Sequence, residues 1–298
     1  MHTHERRTHE MKKSFKYIIT IILIVTMLFT ANTFVYADDT QDAPLSFLAK
    51  IASVFSSPAN AAENAIDILK PALEAAVTNI KTAAEQPEFA SSGEVDPSAP
   101  MVALTFDDGP YSPVTDRIVN KLQEYNARAT FFVVGNRVSS FSDSVAKAVA
   151  AGNEIANHTW NHTSLTTLSG AQVHKQMNDA DYAISLVTGK PASLMRPVGG
   201  AHNATVDASV GKPLIMWSLD TLDWKNRNAT AVANAVLNNV KDGDIILMHD
   251  LYKSTADACD IIIPALAARG YQMVTVSELA AARGVTLHNG STYSAVRP

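Results

Sequence analysis

From residue 101 onward the sequence predicts an α/β fold whose strands pair in parallel. Short apolar runs rich in β-branched residues alternate with longer stretches in which apolar residues recur every three or four positions. This alternation is typical of strands joined by crossover helices, which place neighbouring strands in parallel. Apolar residues make up 47% of the chain and charged residues 18%, which is enough to bury a sizeable core. A barrel and an open doubly wound sheet both satisfy these observations.

The predicted elements follow one another along the chain. The first strand, 101–106, ends at two acidic residues, and the helix at 113–125 starts after a Gly-Pro turn. Further apolar runs predict strands at 129–134, 154–156, 194–196, 214–219, 244–248 and 272–276. Helical spacing predicts helices at 142–151, 170–187, 229–240 and 255–269. In both architectures functional residues gather at the carboxyl ends of strands, so the residues that follow each run are the candidates for chemistry.

Residues 1–37 have the order of a secretory signal peptide. A basic segment at 11–16 precedes an apolar run at 17–29, and Val35-Tyr36-Ala37 resembles a cleavage site. We expect either cleavage after Ala37 or retention of the segment as an N-terminal membrane anchor, although the run is short for a spanning helix. Both outcomes predict a protein that is secreted or held at the outer cell surface or cell wall.

The rest of the chain divides by composition. Residues 38–100 are Ala-rich with Pro and Ser breaks, which predicts a helical stalk or linker. Residues 101–285 carry the strand–helix alternation and predict one α/β domain. Residues 286–298 predict a C-terminal tail.

Charge and cysteine content exclude several classes of protein. The net charge is -5, and removal of residues 1–37, with five basic and two acidic residues, leaves -8. An acidic chain is a poor binder of nucleic acid, because phosphate neutralisation needs a cationic face. The single cysteine, Cys259, excludes an internal disulfide and a Cys-rich metal site. Any metal must therefore be held by histidines and carboxylates.

Two motifs point to such a metal site. The first strand ends in Asp107-Asp108 before Gly109-Pro110, and two adjacent carboxylates repel unless a cation compensates. His158 and His162 follow the strand at 154–156 and, four residues apart, would share one face of a helical turn. With one strand-end aspartate they form a His₂Asp set that leaves a fourth position for water, as in catalytic zinc sites. The residues alone do not decide which aspartate is the ligand.

Three more motifs follow predicted strands. Arg196 begins a Pro-Val-Gly-Gly turn, and its guanidinium is able to pair with a carboxylate of the first motif. The segment 217–224 contains Asp223, and the apolar run at 245–248 ends in His249. A lone histidine after an apolar strand is usually structural, but its place at a strand end beside four other motifs favours a functional role.

Together and in this order, the five motifs resemble the polysaccharide deacetylases of carbohydrate esterase family 4, which share the NodB homology domain. The resemblance covers residues 101–285, which it identifies as the catalytic domain, and implies a distorted (β/α)₇ barrel of the NodB type. It implies a divalent metal, most often Zn²⁺, held by Asp108, His158 and His162.

The resemblance also implies the catalytic roles. Asp107 would be the general base, and Arg196 would keep it ionised and oriented. Asp223 would hold His249, which would be the general acid. The family usually has Arg-Pro-Pro-Tyr-Gly where this chain has Val198 and Gly199. Gly199 retains the backbone N–H that the family uses to stabilise the oxyanion, but the aromatic wall is missing.

The expected function is metal-dependent hydrolysis of N-acetyl groups on an extracellular glycan, with N-acetylglucosamine of peptidoglycan as the leading substrate and a monomer as the expected state. Chitooligosaccharide is a second substrate, and an O-acetyl xylan esterase would use the same site. A non-catalytic glycan-binding relative is a further alternative, although the chain keeps all three ligand residues. A membrane-tethered structural protein would instead depend on residues 38–100.

Overall fold

The computed structural model describes residues 95–298. The strands, in chain order, are β1 Met101–Asp107, β2 Thr130–Val133, β3 Glu154–Asn157, β4 Leu214–Ile215, β5 Leu219–Asp220, β6 Asp244–His249, β7 Gln272–Met273 and β8 Thr292–Tyr293. The predicted signal peptide and residues 38–94 of the predicted stalk lie outside the described residues. Within the part that is described, no helix is both long enough and apolar enough to cross a membrane.

Nine α-helices connect or cover these strands in the described part of the chain. They are α1 Ser112–Glu124, α2 Gly135–Val138, α3 Ser142–Ala150, α4 Gly170–Thr188, α5 Ala204–Ser209, α6 Asp223–Asn226, α7 Ala229–Leu237, α8 Lys253–Ala268 and α9 Val276–Ala282. Short 3₁₀ turns lie at Ser139–Phe141, Leu165–Thr167 and Val198–Gly200.

The main sheet is parallel, as the alternation of strands and helices predicts. Its order is β3-β2-β1-β6-β5, and β7 pairs with the start of β1. In this register Asp107 at the end of β1 lies beside His249 at the end of β6. The parallel α/β prediction is confirmed, and the sheet brings two of the predicted site residues next to each other.

The two faces of β1 pack into different core clusters. Leu104 and Phe106 point into the core formed with the outer helices, where the Phe106 ring stacks on Phe131 with centroids 5.1 Å apart. Met101 and Ala103 point into a second core cluster on the opposite face. Because side chains alternate along a strand, Asp107 shares the face of Met101 and Ala103. The acidic strand end therefore projects on the side opposite the helix-covered core.

Beyond β3 the pairing is irregular, and two strand predictions are wrong there. The predicted strand at 194–196 is reduced to single bridges from Met195 to Asn157 and to Leu214. The predicted strand at 214–219 splits into β4 and β5, because the carbonyls of Ile215 and Met216 accept hydrogen bonds from the side chain of Arg196. No pairing joins β4 to β5 among the described residues, so closure into a seven-stranded barrel stays a prediction.

The last part of the domain also differs from prediction. The strand expected at 272–276 ends at Met273, because Thr275 begins a helix: its side chain and that of Glu278 form a reciprocal capping box at the start of α9. The segment predicted as a tail contains β8, which pairs with β4, and Val296 is buried in the second core cluster.

Candidate metal centre and active site

The two adjacent aspartates at the end of β1 face different partners. Asp107 continues the extended strand, whereas Asp108 has a left-handed backbone with φ 74°. This conformation is uncommon outside glycine, but aspartate is among the residues that tolerate it. The change of backbone direction sends the Asp107 carboxylate toward Arg196 and the Asp108 carboxylate toward the two histidines.

Asp108, His158 and His162 form a compact group of three ligand atoms. Asp108 Oδ1 lies 2.9 Å from His162 Nε2 and 3.3 Å from His158 Nε2, and one donor atom from each residue lies within 4.8 Å of the others. The Nδ1–H of His158 donates to the Arg196 carbonyl at 2.8 Å, which leaves its Nε2 lone pair directed at the group. Two imidazoles and one carboxylate at these distances fit a divalent metal ion.

The electrostatics of the group favour an ionised ligand. Burial by itself raises the pKa of Asp108, but hydrogen bonds with His158 and His162 and their charges outweigh burial and hold the pKa well below its usual range. Asp108 raises the pKa of His162 in turn, more than burial lowers it. His158 is buried, whereas the side chain of His162 is 46% exposed, so one side of the group is open to solvent.

The histidines do not lie on a helical turn, which corrects the prediction from their spacing. They lie in a loop where Thr159 and His162 have positive φ values of 68° and 59°. Asn157 fixes the start of this loop: its Oδ1 accepts from the Thr159 N–H at 2.8 Å, and its Nδ2 donates to Asp181. Side-chain hydrogen bonds to α4 thus replace the regular backbone bonds of a helix.

Arg196 is fully buried, and each nitrogen of its guanidinium donates at least one hydrogen bond. Nη1 donates to Asp107 Oδ1 at 2.7 Å and to Thr105 Oγ1 at 2.8 Å. Nε and Nη2 donate to the carbonyls that interrupt the predicted strand at 214–219, both at 2.9 Å. The guanidinium carbon lies 4.1 Å from the Phe132 ring centroid and 5.6 Å from that of Trp217. Arg196 therefore compensates the charge of Asp107 within a rigid setting.

His249 and Asp223 form a second pair on the other side of Asp107. His249 Nδ1 lies 2.7 Å from Asp223 Oδ1, and Asp223 Oδ2 accepts from the His249 N–H and from Thr255 Oγ1, each at 2.7 Å. Burial lowers the pKa of His249, but its hydrogen bond to Asp223 and the nearby carboxylate charges outweigh burial, so the pKa lies above its ordinary value. The pair favours a protonated imidazole.

Gly199 lies in the turn that follows Arg196. Its backbone is left-handed, with φ 61° and ψ 17°, and a Cβ atom built at this position would meet nothing within 4 Å. The Gly199 N–H makes no hydrogen bond to another described residue, so it is available as a donor.

Several residues that support the site were missed by sequence reasoning. Thr105 and Thr255 bind the charged side chains directly. Asp250 is buried below the Asp108-Gly109 turn, accepts a hydrogen bond from Thr115 Oγ1 at 2.5 Å, and has a pKa raised by burial to about 7. No pattern in a single sequence distinguishes such buried threonines from other threonines. Asp250 had one available signal, because it directly follows His249 at a strand end.

The chain is similar to known deacetylases. The family model described as polysaccharide deacetylase matches residues 94–212. Over 185 residues, 62% of this chain, it is 41% identical to the peptidoglycan-N-acetylmuramic acid deacetylase PdaC of Bacillus subtilis, of which the match spans 40%. The chain therefore covers well under half of this longer relative.

A shorter relative is covered almost completely. The chain is 36% identical over 194 residues, 62% of its length, to a peptidoglycan-N-acetylglucosamine deacetylase of Bacillus cereus, and the match spans 91% of that protein. Among solved structures, a family 4 acetyl xylan esterase from Clostridium thermocellum in complex with a cobalt ion has a TM-score of 0.63 and 37% identity, with 66% of this chain and 98% of that chain covered. The chain belongs to the polysaccharide deacetylase family.

Proposed function

We propose that this protein hydrolyses N-acetyl groups on an extracellular glycan and depends on a divalent metal for this activity. The observation that carries the proposal is the placement of Asp107 and His249 as neighbours on β1 and β6 beside the three converging ligand atoms. One side chain of the pair is suited to accept a proton and the other to donate one. Their supports, Arg196 and Asp223, are buried and fully hydrogen bonded.

The metal would be held by Asp108, His158 and His162, and Zn²⁺ is our proposed ion. When bound there, it would supply a Lewis acid that polarises the acetyl carbonyl and makes a water molecule more acidic. His158 is suited to its part because its Nδ1–H is already engaged by a backbone carbonyl.

The remaining steps belong to this chain's own residues. Asp107, oriented by its hydrogen bond from Arg196, would accept the proton of the attacking water. The Gly199 N–H would donate a hydrogen bond to the oxyanion. An amine is a poor leaving group unless it is protonated, so His249 would donate its proton to the departing nitrogen, with Asp223 holding the imidazolium in place. A base and an acid of this kind each contribute about 10²–10⁴-fold to the rate.

The proposed substrate is N-acetylglucosamine in peptidoglycan. It is supported by the relative from Bacillus cereus, whose name specifies this sugar. The acetyl xylan esterase similar in structure supports O-acetyl xylan as a second candidate, and chitooligosaccharide is a third. An ester leaves more easily than an amide, so an esterase would depend less on His249.

Location and assembly belong to the same proposal. The order of charged and apolar residues in 1–37 supports export, with the protein released or kept at the outer surface by that segment. We propose a monomer, with the strands closed into the distorted (β/α)₇ barrel that the family resemblance implies.

The test is acetate release from peptidoglycan, chitooligosaccharide and acetylated xylan, together with the metal content of the purified protein. We expect His158→Ala to lose both metal and activity, whereas His249→Ala should lose activity and keep metal. His174→Ala is the matched control, because His174 is an exposed histidine of α4 that is not part of the ligand group. Full activity of metal-stripped protein would contradict the mechanism. Binding without acetate release from any glycan would favour a non-catalytic relative.

A further inference from the structure

Arg227, close to the proposed general acid, is fixed in place but exposed. It follows α6, the short helix that begins with Asp223, and its backbone is left-handed with φ 49°. Its Nε–H donates to the Trp224 carbonyl at 2.8 Å, and its guanidinium carbon lies 3.1 Å from the centroid of the Tyr252 ring. Stacking and hydrogen bonding thus fix the side chain, while its outer N–H groups make no hydrogen bond to another residue of 95–298.

Within residues 95–298, no carboxylate pairs with the positive charge of Arg227. Arg227, like Arg137 and Arg269, makes no ion pair with any residue of 95–298, whereas the other five arginines of that region each pair with a carboxylate: Arg117, Arg128, Arg196, Arg283 and Arg297. A planar guanidinium with free N–H groups is suited to bind a carboxylate through two parallel hydrogen bonds. The ligand that fits Arg227 is therefore an anion, and a carboxylate above all.

Its position connects Arg227 to the chemistry of the site. The Tyr252 ring centroid lies 6.0 Å from that of His249 and 3.1 Å from the Arg227 guanidinium carbon, which places this carbon no farther than about 9 Å from the imidazole. The segment that carries Arg227 also carries Asp223, the residue that binds His249 Nδ1. An anion on Arg227 would thus lie about one sugar ring away from the group that protonates the leaving nitrogen.

We propose that Arg227, stacked on Tyr252, is a subsite for the lactyl carboxylate of an N-acetylmuramic acid residue in the glycan strand. This inference rests on the proposed function. In a peptidoglycan strand the N-acetylglucosamine that reacts is bonded to muramic acid residues, so a lactyl carboxylate lies on the neighbouring sugar, about one ring from the reacting acetamido group. Chitin-type sugars carry a neutral hydroxyl there and would leave the guanidinium without a partner. Arg227 would therefore select peptidoglycan strands with free lactyl carboxylates over neutral polymers of N-acetylglucosamine.

The experiment compares two oligosaccharides of equal length, a peptide-free peptidoglycan strand with free lactyl carboxylates and a chitooligosaccharide. Acetate release gives kcat/KM for each, and their ratio measures the preference. We expect Arg227→Gln to lower this ratio about tenfold or more, through a higher KM for the muramic acid strand, because a charge-assisted hydrogen bond is lost. Lys225→Gln is the matched control: it removes the same charge from an exposed position of α6 and should leave the ratio unchanged.

Salt gives an independent readout. Higher ionic strength should reduce the wild-type preference and have no effect on that of Arg227→Gln, because exposed charges are screened. An unchanged ratio in Arg227→Gln would overturn the subsite. If the wild-type protein releases acetate from neither strand, the proposed function fails, and equilibrium binding of the same two oligosaccharides then decides on the subsite. Tighter binding of the muramic acid strand that Arg227→Gln abolishes supports it, and equal binding of both strands rejects it.

Discussion

Arg196 donates a hydrogen bond to Asp107 Oδ1 across 2.7 Å, and the two side chains are 0% and 6% exposed. The other guanidinium donors bind Thr105 Oγ1 and two backbone carbonyls. To break such a pair by removing one partner is costly, because the remaining charge stays buried without compensation. Arg196 should therefore matter both for stability and for the position of the Asp107 carboxylate.

Arg196→Met should lower the free energy of unfolding by about 3–5 kcal/mol, the usual loss when a buried ion pair loses one partner. It should also abolish turnover, since Asp107 would lose the hydrogen bond and the positive charge that hold its carboxylate in place. Denaturant unfolding and acetate release measure the two effects. Arg117→Met is the control: Arg117 pairs with Asp257 at a side chain that is 39% exposed, and such pairs contribute about 0–1 kcal/mol. An equal loss of stability in both variants would contradict the role of burial.

Removal of metal should lower the melting temperature, by a shift that grows with the logarithm of the metal affinity. A ligand that binds only the folded state at 100 times its Kd stabilises it by about 2.7 kcal/mol. Thermal unfolding with and without added Zn²⁺ should show this shift for the wild type and no shift for His158→Ala or His162→Ala. In metal-free protein, His158→Ala should be the less stable of the two, because it leaves the Arg196 carbonyl without its buried donor at a cost of about 1–3 kcal/mol. Equal metal-free stabilities would contradict this difference.

The activity should fall on the alkaline side as His249 loses its proton. Its pKa is raised above 6.5 because the hydrogen bond and charge of Asp223, with the other carboxylates of the site, outweigh the effect of burial. A general acid works only when protonated, so the rate is retained below this raised pKa and lost as the pH rises through it. Asp223→Asn removes one of the charges that raise the pKa, so the alkaline limb of kcat/KM should move to lower pH and the maximum should drop by about 10²-fold or more.

Asp220→Asn is the control for that pH profile. Asp220 lies three residues before Asp223 and accepts a hydrogen bond from the Leu222 N–H, whereas the carboxylate that binds the His249 ring is that of Asp223. The same change of charge there should leave the alkaline limb in place. If Asp223→Asn left the limb unmoved as well, His249 would not be the group that limits activity at high pH.

The parts of this site that depend on residues close together in the chain can be predicted from the sequence, whereas those that depend on distant residues cannot. The ends of β1 and β6 are predicted to within one residue, because a buried apolar run is followed directly by Asp107 in one strand and by His249 in the other. The residues alone also predict that the two histidines converge with an aspartate at this strand end, and the family resemblance implies that it is Asp108. The helical turn predicted for the two histidines is wrong, since side-chain hydrogen bonds from Asn157 to α4 decide the loop conformation.

Long-range side-chain contacts explain the remaining errors. The split between β4 and β5 depends on the guanidinium of Arg196, about twenty residues earlier in the chain, and no local pattern announces it. The helix α9 is different, because Thr275 and Glu278 have the spacing of a capping box, and that local signal was present in the sequence. Local chemistry is therefore readable from one sequence, whereas a backbone that bends around a distant side chain is not.

The turn at Gly109 should be coupled to Asp250 by direct contact. A Cβ atom at Gly109 would lie 2.2 Å from both carboxylate oxygens of Asp250, which cannot move freely because Thr115 donates to one of them and the side chain is buried. Gly109→Ala should therefore displace the adjacent Asp108, weaken metal binding, and destabilise the fold by about 1–3 kcal/mol through overpacking.

A double-mutant cycle tests this coupling. Asp250→Ala removes the atoms that the new Cβ would meet, so Gly109→Ala should cost much less in that background than in the wild type. Residues in contact typically show interaction energies of about 0.5–3 kcal/mol, and denaturant unfolding resolves differences of this size. Metal affinity, measured by titration, should follow the same pattern, with partial recovery in the double variant. If the two substitutions were simply additive in stability and in metal affinity, Asp250 would not be the side chain that requires glycine beside Asp108.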